Sequence, residues 1–449
     1  MRNPKEERSP MTGEKPVKDL TKMNNLMSGR QLFKYLGEPK KIVAPMVDQS
    51  ELAWRMLSRK YGADLCYTPM FHAKLFATSE KYRQDMWQDD LDGNPKFDRP
   101  LVVQFCANDP QYLVEAAKFV DGKCDGIDLN LGCPQGIARK GHYGSFLMED
   151  WNLISELLSN LKKEITKTNV TCKIRIFPEL EKSLEYAQMC VNSGAEWLTV
   201  HGRLREQKGQ ITGLADWNYI KHVRENIQCM TCDEKQVVFA NGNILYSEDI
   251  HRCLNETGCD AVMSAEGNLY NPGIFNFSNN NDIQDKDKVF PRVDLVTREY
   301  FEILRKLDKK SKASMHAAKS HLFKILRPFF AKHTDLRNKL GSLNIMKLSF
   351  EEIENQLIKP IEETVAKILE ESPHLDVIEY DTEISNDVFQ YKKVPYWRCQ
   401  PYFRSVNGVT TNKRVGEFVE SRDNKQEFLD NIKKRKKSKE STEDKDTSK

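Results

Sequence analysis

The chain has 449 residues, 39% of them hydrophobic and 30% charged, which is enough to bury a large core in two or three domains or in one large parallel barrel and an appendage. No run of about 18 apolar residues exists and the charged first 18 residues hold no signal-like apolar stretch, so membrane and secreted classes are not expected. Eleven cysteines, an odd number without framework spacing, are expected as thiols in a reducing compartment, and the net charge of +3 says little until its distribution is read.

In chain order, a polar leader over residues 1–34 gives way to eight short apolar or β-branched runs, at 41–46, 64–70, 100–106, 126–132, 170–176, 197–202, 237–242 and 261–267. Helix-like segments separate most of them, for example at 110–120, 151–162, 184–193 and 247–257. Strands alternating with helices imply a parallel sheet, and eight such units predict a closed (β/α)8 TIM barrel over residues 35–284. A doubly wound sheet would call for a Gly-rich dinucleotide fingerprint after a first strand, and none is present. Beyond residue 285 the pattern is helical, over 293–307, 314–332, 335–340 and 350–371, which predicts a small helical bundle domain reaching about residue 375.

Charge is concentrated in that second part. Residues 301–340 hold eleven Lys/Arg against three Asp/Glu, whereas 351–371 hold seven acids against two lysines. At 100° per residue Met315, Leu322, Ile325, Leu326 and Phe329 fall on one arc, and Lys312, His316, Lys319, Lys324 and Arg327 on its neighbour. Such a basic arc is a candidate footprint for a polyanion. From residue 376 onward an extended, mostly disordered tail is expected, broken by the aromatic and arginine-bearing segment 395–404, read as an anchor more than a base-stacking strip. A basic run at 433–437 suits RNA capture or nuclear import. Cys229 and Cys232 form a CxxC without a second pair at zinc-site spacing, so no structural metal is expected.

The C-terminal ends of barrel strands build active sites, and here those ends are polar. They carry Pro45-Met46-Val47, Gln104, Asn130 and Cys133, Lys173 and Arg175, His201, Asn241-Gly242-Asn243, and Glu266-Gly267. Gly132 and Pro134 stop the fourth strand, so Cys133 is expected on the rim, where a thiol can react, whereas Cys66, Cys106, Cys124 and Cys172 read as small core hydrophobes. A lysine and an arginine inside an apolar strand are costly to bury unless they meet something anionic or electron-rich. Glycine turns after strands seven and eight, each followed by a helix start, are the usual barrel phosphate site. With Gln104 offering a donor and an acceptor to a ring edge and Lys173 a cation to a reduced flavin, the set suits FMN across the barrel mouth.

The segments APMVDQSELAWR (44–55), LNLGCPQGIARKGHYGSFLM (129–148), CKIRIF (172–177), HGRLREQKGQITGLADW (201–217) and NGNILYSEDI (241–250) resemble the FMN-dependent tRNA-dihydrouridine synthases over about residues 35–375. Gly141-His142-Tyr143-Gly144 and Gln207-Lys208-Gly209 are most similar to the eukaryotic class acting on D-loop positions 16 and 17. The resemblance implies FMN contacts from Pro45, Met46, Val47, Gln104, Lys173 and His201, with the phosphate end held by Asn241, Gly242, Asn243, Glu266 and Gly267. Glu266-Gly267 stands where other branches have Gly-Arg, so backbone amides are expected to meet the phosphate there. The implied reaction takes electrons from NADPH or NADH, sends hydride from flavin N5 to C6 of a uracil turned out of its stack, and a proton from Cys133 to C5. Asn130 and Arg175 are candidates for the uracil edge, and Lys319, Lys324 and Arg327 for the tRNA. Rival readings are an FMN barrel acting on a free pyrimidine, which has no use for a basic helix, and a tRNA-binding protein without turnover. The expected compartment is cytoplasmic, nuclear or both.

Overall fold

A computed structural model describes residues 27–209, 212–230, 234–276, 286–380 and 392–402. Eight parallel strands, β1 (Lys41–Val43), β2 (Leu65–His72), β3 (Leu101–Cys106), β4 (Gly126–Leu131), β5 (Asn169–Arg175), β6 (Trp197–His201), β7 (Val237–Asn241) and β8 (Ala261–Ser264), pair in chain order, and β8 closes on β1. These are the eight runs read from the sequence, and the barrel expectation holds. The strands are covered on both faces, which is why β3 and β4 are buried at every position and read as apolar runs. Helices between them start on side-chain caps: Asp109 ahead of Pro110, Asp150 ahead of Trp151 and Asp216 ahead of Trp217 each accept backbone N–H groups of the first turn.

The N-terminal mouth of the barrel is plugged from the chain's own start. Helix Gly29–Tyr35, capped by Ser28, crosses the boundary expected between leader and barrel and sends Leu32 and Phe33 into the core. Phe33 meets Phe239 at 6.0 Å between ring centroids, and Phe239 meets Trp197 at 5.4 Å. Arg30 locks the plug by pairing with Asp260 at 2.6 Å. Residues 1–26 of the expected leader lie outside the described residues.

Two strand ends differ from expectation. β1 stops at Val43, because Pro45 lacks an N–H for a continuing ladder, and the next residues form a turn in which Met46 N–H donates to Ser50 Oγ. β8 stops at Ser264, and Glu266-Gly267 opens a short helix, Glu266–Tyr270. A Cβ on Gly267 would fall 2.2 Å from the Ile244 carbonyl oxygen, so this glycine permits close packing of the short helix on the loop after β7.

The helices after the barrel pack with it in one compact unit that includes Tyr396–Pro401. The run expected at 314–332 breaks at Leu326 into Lys312–Ile325 and Arg327–Phe330, since Pro328 cannot continue the hydrogen-bond ladder. The run expected at 350–371 widens into a π-helical turn at Glu354–Ile358 just ahead of Pro360. Its acids are structural: Arg298 on Val293–Leu307 binds Glu362 through two nitrogens at 2.7 and 2.6 Å and Glu354 at 2.7 Å. The segment 396–401 is an anchor on this helical part. The Arg398 guanidinium, 1% exposed, donates to Phe290 O and pairs with Asp287, while Tyr396 stacks on Phe329. In a second unit, strands Glu379–Tyr380 and Lys392–Lys393 pair antiparallel. Phe403, Arg404, the basic run at 433–437 and the rest of the expected disordered tail lie outside the described residues.

Candidate active site

Strand register brings the inward side chains level: Gln104 beside Asp128, Asp128 beside Thr171, Asn130 beside Lys173, Arg175 beside His201, and His201 beside Asn241. Because side chains alternate along a strand, the apolar floor of Tyr67, Trp197 and Phe239 gives way to a polar layer at the C-terminal strand ends. Lys173 Nζ donates to Asn241 Oδ1 at 2.8 Å, and Asn241 Nδ2 donates to Met263 O at 2.9 Å. Burial, then the nearby Arg175 cation, push the Lys173 ammonium down to about 7, against the opposing pull of Asp128 and Cys133. His201 Nε2 lies 2.9 Å from Arg203 Nη1. An arginine can only donate, so the ring accepts there and keeps its proton on Nδ1. Burial first, then Lys173, Arg175 and Arg203, hold His201 neutral.

Cys133 stands on the loop after β4, half-buried, with Sγ side packing against Cys106, Ala138 and Tyr143. Asn130 Oδ1 accepts the N–H groups of Gly132 and Cys133 at 3.2 and 2.9 Å, and the Cys133 carbonyl accepts from Ser145 N and Oγ at 3.1 and 3.0 Å. Burial raises the thiol above its ordinary range, opposed by the Gln135 N–H and the Arg175, Lys173 and Lys208 cations, so it is a protonated thiol at neutral pH. Arg175 braces this loop: its Nε donates to Gly132 O at 2.8 Å, and its Nη1 to Leu204 O at 2.6 Å and to Gln207 O at 3.1 Å. Lys208 Nζ reaches back to Pro134 O at 2.7 Å. The Gln207-Lys208-Gly209 stretch thus packs on the loop that carries the thiol.

The remaining sequence-chosen residues surround this centre. Pro45, Met46 and Val47 line the turn after β1, where the Val47 side chain is exposed. Gly242 has φ +117° and Asn243 φ +63°, and Asn243 Oδ1 accepts from Arg203 and from Ala215 N. Glu266 and Gly267 open the helix after β8. Lys319, Lys324 and Arg327 are brought together: with Tyr270, His316, Ser320 and Phe323 they line a hollow of about 530 Å³. Gln49 of the β1 turn donates to Ser320 Oγ at 3.1 Å, which sets the hollow beside the barrel mouth. Lys319 Nζ is spent on the carbonyls of Gly341 and Leu343, and Lys312 on Asp85, so part of the basic excess braces the helices. Among the described residues no group of three or more metal-ligating side chains occurs, and Cys232 lies outside them.

The family model described as Dihydrouridine synthase (Dus) matches residues 42–362. The chain belongs to the dihydrouridine synthase family. It is 59% identical over 391 residues to the tRNA-dihydrouridine(16/17) synthase, NAD(P)(+), of Saccharomyces cerevisiae, covering 87% of this chain and 89% of that one. Identity is 45% to the protein of the same name in Schizosaccharomyces pombe, over 86% of this chain and 94% of that one. It is 36% to a human tRNA-dihydrouridine(20a/20b) synthase-like protein, over 53% of this chain and 71% of that one.

Within this dihydrouridine synthase barrel, sequence reasoning passed over several contributors. Asp128 and Thr171 lie inside the expected strands, Arg203 stands two residues after His201, Gly144 closes the class-marking string 141–144, and Ser145 falls within the family-like segment 129–148. The available signal was a carboxylate at the centre of the buried run GIDLNL, a position that an apolar strand does not otherwise accept.

Proposed function

We propose that the protein reduces the C5–C6 double bond of uridines in tRNA to dihydrouridine, at D-loop positions 16 and 17, with FMN as cofactor and NADPH or NADH as electron source. The observation that carries the reading is the Cys133 thiol, seated on the loop after β4 by Asn130 and Ser145 beside a layer of hydrogen-bond donors. That layer fits FMN by its donor chemistry: the amides of Gln104, Asn130 and Asn241, the Lys173 ammonium and the His201 ring stand together at the C-terminal strand ends, a set that suits an electron-rich pyrimidine edge. Gln104, Lys173 and His201 would hold the ring, Pro45, Met46 and Val47 its flank, and Asn241, Gly242, Asn243, Glu266 and Gly267 the phosphate end. A flavin bound there would supply the hydride for uracil C6, with the nicotinamide as the source of its electrons.

Cys133 supplies the proton to C5, a task that needs the thiol and not the thiolate, and burial maintains that form. Asn130 holds the loop N–H groups in place while its amide faces the site, and Arg175 keeps the loop and the stretch after β6 together beside the uracil. The hollow lined by His316, Lys324 and Arg327, with Lys319 bracing its wall, would take tRNA backbone phosphates, a surface that a free pyrimidine has no use for. The test is dihydrouridine content, position by position, in tRNA from cells lacking the protein, with and without a restored copy. Loss confined to positions 16 and 17, recovered on restoration, is the expected result. Unchanged dihydrouridine at both positions overturns the reading.

A further inference from the structure

Asp128 is a fully buried carboxylate that the proposed chemistry does not use. Sinking a charge into a barrel is costly, and the Lys173 cation acts on Asp128 only as the last of its influences, after burial and its hydrogen bonds. Its oxygens are instead satisfied by neutral donors on the two flanking strands: Gln104 Nε2 at 2.8 Å from β3 and Thr171 Oγ1 at 2.7 Å from β5. From Gln104 the chain of bonds continues, because Gln104 Oε1 accepts from Asn130 Nδ2 at 2.8 Å and Asn130 Oδ1 accepts the Gly132 and Cys133 N–H groups.

Both ends of this relay have only one possible polarity. Backbone N–H groups can only donate, so Asn130 turns its oxygen to them and its nitrogen to Gln104. Gln104 then turns its oxygen to Asn130 and its nitrogen to position 128, where an acceptor must stand. A side chain without an oxygen there leaves a buried Gln104 N–H unpaired, and rotating the amide to escape sets two N–H groups against each other. With the carboxylate in place, each amide keeps one N–H outside the relay. The relay therefore fixes which way each amide's remaining N–H points.

We infer that Asp128 is a positioning residue: its carboxylate anchors the Gln104–Asn130 relay, which orients the donors of the barrel mouth and seats the backbone of Cys133. The part concerning the flavin rests on the FMN reading above; the seating of Cys133 does not. The alternative is a carboxylate that only ties β3, β4 and β5 together, and it would alter stability alone.

Two variants separate these roles. Asp128→Val removes both acceptors at similar bulk, and Asp128→Asn keeps one carbonyl oxygen for Gln104. The first readout is the FMN dissociation constant by titration of the apoprotein. The second is the rate of Cys133 alkylation in FMN-free protein, followed by peptide mass spectrometry. D128V should weaken FMN by about tenfold, the loss that an unpaired buried donor produces, and speed Cys133 alkylation by about fivefold. D128N should stay within about threefold of wild type in both. Wild-type alkylation in folded D128V, or equal losses in the two variants, overturns the inference. If wild-type protein fails to take up FMN while the alkylation pattern holds, the flavin reading fails and the positioning role stands. Should D128V not fold, Gln104→Met cuts the same relay from β3, and an unchanged Cys133 alkylation rate in that variant overturns the inference.

Discussion

The seat of Cys133 can be disturbed without touching a reacting group. Gly144 has φ +64°, and an added Cβ would stand 2.8 Å from the Cys133 carbonyl oxygen and 3.0 Å from its Cβ. Ordinary contact begins near 3.4 Å, so Gly144→Ala must displace Cys133 by about 0.6 Å or open the loop. A left-handed backbone also costs an alanine about 1–2 kcal/mol. The bonds from Ser145 N and Oγ to the same carbonyl would be stretched together. A misplacement of about 1 Å can cost about 100-fold in rate, so kcat for dihydrouridine formation should fall by about 10- to 100-fold. FMN affinity, assigned to Gln104, Lys173, His201 and Asn241, should stay within about twofold. The assay is mass-spectrometric dihydrouridine formation on an unmodified tRNA transcript at saturating nicotinamide, paired with FMN titration. In the Cys133→Ala background the same glycine substitution should add nothing further. Wild-type kcat in folded G144A would refute the claim that this loop geometry places the acid.

Cys133→Ala should keep FMN and tRNA binding and lower turnover by about 100- to 10,000-fold, as measured by single-turnover dihydrouridine formation. Since the thiol acts protonated and burial raises its pKa, the rate of Cys133 alkylation in the folded protein should rise only at a higher pH than for a free thiol of 9.0; a rise centred below that value contradicts the assignment. For Lys173, depressed from 10.5 to about 7, the unfolded chain binds a proton between those values that the folded apoprotein lacks, so stability rises with pH across that window. Lys173→Met should therefore raise the apoprotein melting midpoint at pH 6, flatten its rise toward pH 10, and weaken FMN binding. His321→Ala removes the hydrogen bond at 3.0 Å to buried Glu51 and should cost about 1–3 kcal/mol in denaturant unfolding. Arg327→Ala should weaken tRNA binding with little effect on FMN and reduce the slope of log affinity against log salt by about 1, the signature of one lost phosphate contact.

The barrel was legible because buried parallel strands are nearly pure apolar runs, and their polar interruptions at Gln104, Lys173 and Arg175 stood out against that background. Where the pattern ended was harder to read. Glycine punctuates strand ends, close packing and helix starts alike, so Gly267 looked like a strand terminus until its 2.2 Å conflict with Ile244 O showed a packing role. Partners across strands were not legible at all. That Gln104 donates to Asp128 and not to solvent follows from barrel register, which places β3 beside β4 and which periodicity alone does not supply. The basic arc was visible as charge, but that Lys319 braces the helices is set by the carbonyls of Gly341 and Leu343, far along the chain.

The stretch 44–55 shows how one motif serves two structures. Its first residues, Pro45 to Val47, line the turn at the barrel mouth, yet Gln49 to Arg55 face the other way. Gln49 donates to Ser320 and Ala53 N–H to Ser314 Oγ, both on Lys312–Ile325. Glu51 accepts from Trp54 N and Tyr300 Oη and meets His321, whose ring lies 4.2 Å from the Trp54 ring at an interplanar angle of 2°. Arg55 ties Ser50 O to the buried carboxylates of Asp92 and Asp98. The helix that carries His316, Lys319 and Lys324 is therefore held by the same dozen residues that shape the mouth. Such a shared hub fixes the spacing between the basic hollow and the Cys133 loop, and the proposed reaction, in which one base is turned out of a folded RNA, calls for that spacing to be held rigid.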